Sequence, residues 1–364
     1  MLMVLGFPVA AFIVLEGGSS IALFAHQTAS SQRPRLTEET STEYDAELGW
    51  VGKKSFRSPD MFGPGVALHT NARGFRGAEE IDDAKPSGKQ RLVCSGDSFT
   101  VGLGVSDDDT WCAGLATPEL QTVNMGQGAY GIDQAYLWYK RDGRALAHDV
   151  QVLAFITDDF RRMSTDRFLT KAKPRLAIQG DSLVVLGVPV PLASRESWKA
   201  RLVPAVQSLR MVQLVARLTS GDTPRTSRTK PGPSGKRTQS EDLSEIVARV
   251  IADLAQINAA KKSTLVLAYL PVDTDFQNEA SAPWRQRMRV IADSLHVPLL
   301  DLIPAQRKLG RQEMQQLYIK KGNLSFAEVA GHFTVEGNHW AAAQIHEGLD
   351  SVLRAAPMVA TTKR

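Results

Sequence analysis

Cysteine is nearly absent from this chain. There are two in 364 residues, Cys94 and Cys112, and no Cys-x-x-Cys pair, so a thiolate zinc site has no support and no metal is expected. Cys94 lies in an apolar run, and both read first as small buried hydrophobes; a Cys94–Cys112 bridge stays open only outside the cytoplasm. A surplus of one charge sign is also missing. Lys and Arg number 43 against 39 Asp and Glu, a net charge of +4. The basic residues are not gathered with aromatics into a stripe, so no nucleic-acid partner is expected. No internal repeat occurs. Long apolar runs are lacking too, with one exception at the start.

That exception is residues 2–15 (LMVLGFPVAAFIVL), interrupted by Glu16-Gly-Gly-Ser-Ser and resumed over Ile21–Ala25. Its length suits a signal-peptide core, and 2–25 together could just span a bilayer. No Lys or Arg precedes it, and Arg33 and Arg35 follow. Residues 1–25 are read as a signal peptide or membrane anchor, which places the rest in the periplasm or cell envelope.

What remains is ordinary globular material, with 43% hydrophobic and 23% charged residues and ample length for a large core. Residues 26–70 are polar and turn-rich and read as linker and lead-in loops. Five apolar segments read as strands: 91–95, 122–124, 150–156, 263–271 and 297–302. Helical patterns lie between them over 132–147, 242–262 and 283–296. Strands alternating with helices predict an α/β fold: a parallel sheet covered on both faces. The alternation breaks over about 160–240. There, 176–190 around Gly180-Asp181 reads as a β-hairpin and 198–218 as an amphipathic helix. The basic stretch 219–240 has almost nothing apolar to bury and reads as disordered. Residues 357–364 are a tail.

Chemistry concentrates at Arg91-Leu-Val-Cys-Ser-Gly-Asp97-Ser98-Phe-Thr-Val-Gly-Leu-Gly104. A short buried strand ends at Gly96, and Ser98 stands on the turn beyond it. Thr110 is placed to cap a helix starting at Trp111. A serine there projects from the carboxyl end of a strand, where open α/β sheets bind ligands. The N–H groups that follow can face an oxyanion. Asp97 stands beside it and is counted among the candidate catalytic residues. Three further blocks come later: Asn124-Met-Gly-Gln-Gly-Ala129-Tyr-Gly131, Phe155-Ile-Thr-Asp158-Asp159, and Gly331-His332-Phe-Thr334-Val-Glu336-Gly337-Asn338-His339.

These four blocks, in this order, resemble those of the SGNH (GDSL) hydrolases, a family of serine esterases and acyl-transfer enzymes. Asn71-Ala-Arg-Gly-Phe-Arg76-Gly resembles the lead-in of one bacterial branch, with Arg76 read as an ion-pair partner before any direct role. The resemblance covers about 71–350 and implies a three-layer, flavodoxin-like fold with a five-stranded parallel sheet over 71–356. It implies Ser98 as nucleophile and His332 as base, with no cofactor. It also implies an oxyanion hole from Ser98, Ala129 and the position of Asp158. Three departures stand out. Ala129 replaces a glycine, which matters only if the backbone needs a positive φ. Asp158 replaces an asparagine and can donate only if burial keeps it protonated; Arg161 and Arg162 oppose that. Val329 stands where an Asp usually precedes the His. Glu328 is the nearest acid, one place early, so Ser98 and His332 work as a dyad or another group orients the His. A rival alignment makes His339 the base and Glu336 its acid, but puts the base inside a helix. The expected substrate is an acyl ester, plausibly an O-acetyl group on an envelope carbohydrate. An O-acyltransferase and an inactive binding module in polysaccharide assembly are the alternatives.

Overall fold

A computed structural model describes residues 40–168, 171–192, 239–320, 322, 324 and 329–355. The N-terminal run 1–25, the helix expected over 198–218, the basic stretch to 238, Glu328 and the tail 357–364 lie outside the described residues.

Five parallel strands form the central sheet: β1 (Gln90–Gly96), β2 (Leu120–Gly126), β3 (Val150–Phe155), β4 (Thr264–Tyr269) and β5 (Leu299–Asp301). Their spatial order is β2-β1-β3-β4-β5. All neighbours run parallel, so every connection is a crossover. This is the flavodoxin-like order, whose topological switch point lies between β1 and β3.

Alternation along the strands divides the core between the two faces. Val93, Leu153, Leu267 and Tyr269 face one way. They pack against α2 (Ile132–Arg141), α4 (Gln239–Ala260) and α5 (Ala282–Ser294). Leu92, Cys94, Val152 and Ala268 face the other way, onto Trp111, Met314, Phe333 and the buried side of α8 (Val335–Ala355). Three short helices complete the set: α3 (Thr157–Met163), α6 (Ile303–Arg307) and α7 (Arg311–Gln316). The remaining helix, α1 (Ser98–Val101), is a single turn. The expected three-layer α/β architecture is present.

Local differences have physical causes. The helix expected over 132–147 ends at Arg141, and a 3₁₀ turn at Gly143–Ala145 replaces its tail. No long helix follows Thr110; its hydroxyl accepts the Ala113 N–H (3.1 Å), and only a 3₁₀ turn, Ala113–Leu115, with Cys112 at its N-cap, forms there. The lead-in is more ordered than its polarity predicts. Thr42–Asp45 pairs antiparallel with Gly49–Gly52, and Arg57–Gly63 with Val66–His69. Trp50 explains the first pair: it is fully buried, and its ring meets Tyr130 edge-on. The hairpin expected over 176–190 is Arg175–Gln179 paired with Ser182–Leu186.

Cys94 and Cys112 form a disulfide across 18 residues, with Cα atoms 6.2 Å apart. The reading of two free hydrophobes is corrected here. Both side chains are wholly buried on the same face of the sheet, so burial and bonding coexist. Among the described residues, no helix is long and apolar enough to cross a membrane.

Candidate functional site

The site lies at the carboxyl ends of β1, β2 and β3. Strand β1 ends at Gly96, where close approach demands glycine: a Cβ there would sit 2.4 Å from the Ala154 carbonyl oxygen. Gly126 ends β2 under the same pressure, since a Cβ would lie 2.1 Å from the Val101 nitrogen. These contacts let α1 drop between the strand ends. Asp97 is its N-cap, accepting the Phe99 N–H at 2.9 Å. Ser98 is the first helical residue and 4% exposed.

His332 comes from the far end of the chain. Its segment pairs with residues 318–319 through Ile319 N–H to the His332 carbonyl and Gly331 N–H to the Ile319 carbonyl, both 2.8 Å. Thr334 then caps α8, accepting the Gly337 N–H at 3.0 Å. The helix is locked down by the buried Asn338, whose amide oxygen accepts the Trp111 N–H at 3.0 Å. The result places His332 Nε2 2.8 Å from Ser98 Oγ. The imidazole lies over the Phe99 ring, with centroids 4.8 Å apart. On its other side Nδ1 faces the Val329 carbonyl at 3.3 Å. A backbone oxygen thus stands near where the resemblance leads one to expect a carboxylate. It can fix the Nδ1–H tautomer.

His339 and Glu336 lie exposed on the first turns of α8, and no hydrogen bond joins either to Ser98 among the described residues.

Ala129 adopts φ = 65°. Its position therefore does need the left-handed backbone, and the methyl group carries a cost of about 1–2 kcal/mol there. The N–H groups of Ser98 and Ala129 donate to no protein acceptor among the described residues, as donors kept for a ligand would. Asp158 fails the condition set for it. Its side chain is 46% exposed and is held by Arg161 through two bonds of 2.8 and 3.0 Å. The Arg161 bond holds its pKa below the usual carboxylate range, against a lesser opposing effect of burial. It is therefore an anion at neutral pH and no hydrogen-bond donor.

A group that sequence reasoning treated only as a neighbour of Asp158 stands behind these loops. Arg162 Nη1 donates to Asp159 Oδ1 (2.8 Å), the Tyr130 carbonyl (2.9 Å) and Asp97 Oδ2 (3.3 Å). Asp159 and Asp97 are both about 1% exposed. Burial pushes the carboxyl of Asp159 well up, and the negative charge of Asp97 adds to that. Burial raises Asp97 as well, against the pull of Arg162. Burial works against the Arg162 charge, but the two carboxylates outweigh it and raise its pKa. The Asp-x-x-Arg spacing of 159 and 162 on one helix face was the available signal.

Arg76 is 1% exposed at its side chain. It pairs with Asp107 and donates to the carbonyls of Val101 (2.9 Å) and Val105 (2.8 Å). It braces the loop after α1 and does not enter the site. An open groove of about 730 Å³ reaches Gly331, the residue before His332, but is not lined by His332 or Ser98; Asp273, Gln277, Met314, Gln315 and Lys320 are among its walls. No cluster of three or more metal-ligating side chains occurs among the described residues.

No protein-family description and no curated protein matches the chain. Solved structures do. One is described as a lipolytic protein of the G-D-S-L family from Desulfitobacterium hafniense, with 13% identity over 71% of this chain and 99% of that one and a TM-score of 0.40. A lipase/acylhydrolase from Enterococcus faecalis shares 12% over 72% and 96%, with a TM-score of 0.38. A carbohydrate esterase family 2 enzyme from Myceliophthora fergusii shares 10% over 76% and 70%, with a TM-score of 0.39. At TM-scores this low, the functional reading rests on the site's own geometry. In its sheet order and in the sequence of its four site blocks, this chain is similar to the SGNH (GDSL) hydrolases.

Proposed function

We propose that the chain is a serine esterase of the SGNH type. The observation that carries this is the 2.8 Å contact between Ser98 Oγ and His332 Nε2 at the carboxyl ends of the sheet. In the scheme, His332 takes the Ser98 proton as the oxygen attacks an ester carbonyl. The Ser98 and Ala129 N–H groups receive the oxyanion. His332 then protonates the leaving alcohol, and water repeats the sequence on the acyl-enzyme. The Val329 carbonyl, 3.3 Å from Nδ1, is one of the groups that keep the imidazole turned.

The acyl group is read as small and the alcohol as a carbohydrate, so that O-acetyl groups on an envelope polysaccharide are the substrate. A groove with a volume in the range of ligand clefts runs past Gly331, the residue before His332, and is the place proposed for the alcohol; Asp273, Gln277, Gln315 and Lys320 line it together with the apolar Met314 and Ile319. The Cys94–Cys112 bond supports an oxidising, extracytoplasmic location. Residues 1–25 are proposed to export or anchor the chain. An O-acyltransferase would use the same site with a sugar hydroxyl in place of water. The ionised Asp158 favours a second reading, a silent binding module, since a carboxylate repels a developing oxyanion.

A fluorophosphonate probe tests the proposal on the full chain beside Ser98→Ala, His332→Ala and His339→Ala. The expected result is that the unmutated protein and His339→Ala label, Ser98→Ala does not, and His332→Ala is slowed by about 10³-fold or more. A folded protein that never labels would give the binding module its place.

A further inference from the structure

Arg162 joins the elements of the site without facing the substrate, and we propose that it is the positioning residue of the oxyanion hole. This rests on the esterase reading above. A single buried nitrogen, Nη1, reaches three separate segments. One is Asp97, the cap of the helix that presents Ser98. Another is the carbonyl of Tyr130, the residue next to the strained Ala129. The third is Asp159 on α3, whose other oxygen accepts the Ile156 N–H at 3.0 Å and so fixes the end of β3. Nη2 lies 3.8 Å from Asp158. The far side of the guanidinium is covered by the Phe168 ring, 5.6 Å to its centroid. The loops that carry both oxyanion N–H groups are thus held by one permanently charged nitrogen. The Tyr130 bond is the decisive one. Two carboxylates would be balanced by a cation placed anywhere beside them, but a bond to the carbonyl beside Ala129 acts on the turn that aims the N–H.

Charge balance and positioning are separated by two variants. Arg162→Met leaves two buried carboxyls without their cation and is expected to lose stability. The double variant Asp159→Asn/Arg162→Met removes one acid and the cation together and is expected to regain most of the lost Tm. Positioning requires that the double variant still turn over p-nitrophenyl acetate about 10²-fold more slowly, with the loss in kcat rather than KM. It also requires faster backbone amide exchange over residues 127–131 than in the unmutated protein. If kcat returns with Tm, Arg162 only balances charge and the proposal is overturned. If the amides of 127–131 exchange unchanged in the folded double variant, it is overturned as well. Should the unmutated protein turn over no ester, the esterase reading falls by itself, and the exchange measurement still decides whether Arg162 holds the loop.

Discussion

At the scale of single residues, two departures from the SGNH pattern have opposite consequences. Ala129 keeps its N–H but sits at φ = 65°. Replacing it by glycine removes the methyl clash and adds backbone freedom to the unfolded chain. Ala129→Gly is therefore expected to change stability by no more than about 1 kcal/mol, in the favourable direction, and to keep activity; a thermal melt and an ester assay check both. Asp158 is the costlier departure, because Arg161 keeps it ionised. Asp158→Asn supplies a neutral amide in its place. If that amide turns inward, hydrolysis should rise by up to about 10²-fold, the scale of one oxyanion donor. An unchanged kcat would mean that the side chain stays outside. Ser98 and His332 could be paired from the sequence because their blocks keep residue type and spacing, whereas Ala129 keeps the spacing alone. The Val329 carbonyl was not legible, because a backbone acceptor leaves no residue type to read; for Arg162 only the spacing to Asp159 was readable, and its bonds to Asp97 and Tyr130 cross segments that no local spacing links.

At the scale of elements, the five strands and the three long helices between them were visible in their apolar patterns. Sheets covered on both faces demand continuous apolar runs, and those are hard to mistake. The hairpins over 42–69 were missed because glycines, prolines and charged residues interrupt their apolar residues; their order comes from buried side chains such as Trp50, Met61, Phe62 and Leu68 and from Arg76. Helix α8 depends on a similar anchor. Asn338 is 1% exposed, and its side chain accepts the Trp111 N–H and donates to the Thr334 carbonyl at 2.9 Å. Asn338→Leu would leave the buried Trp111 N–H unsatisfied and should cost about 1–3 kcal/mol in a denaturant titration. Because α8 follows His332 directly, probe labelling should weaken alongside it.

For the whole molecule, pH should act through the buried acids. Asp97 and Asp159 have raised pKa values in the folded protein, so the folded state holds protons that the unfolded chain releases. Their stabilising effect is present at low pH and fades as pH rises above the ordinary carboxylate value of 3.8 toward the folded one. Asp158 and Asp45 have lowered values and act in the opposite sense, losing their contribution as pH falls below that point. Asp159→Asn should flatten the decline in Tm as pH rises from 3.8; an unaltered slope would show that another group sets it. Reduction of Cys94–Cys112, or Cys94→Ala with Cys112→Ala, should lower stability by about 2–4 kcal/mol, in line with a loop of 18 residues.

Ser98 and His332 meet across 234 positions of sequence. During synthesis the nucleophile is made well before its base. Every parallel pairing and the seating of α8 must be complete before the two touch. Ester turnover would therefore report on finished folding. A nascent chain that has not yet reached α8, or one cut anywhere between β2 and α8 and separated, would carry an unarmed serine.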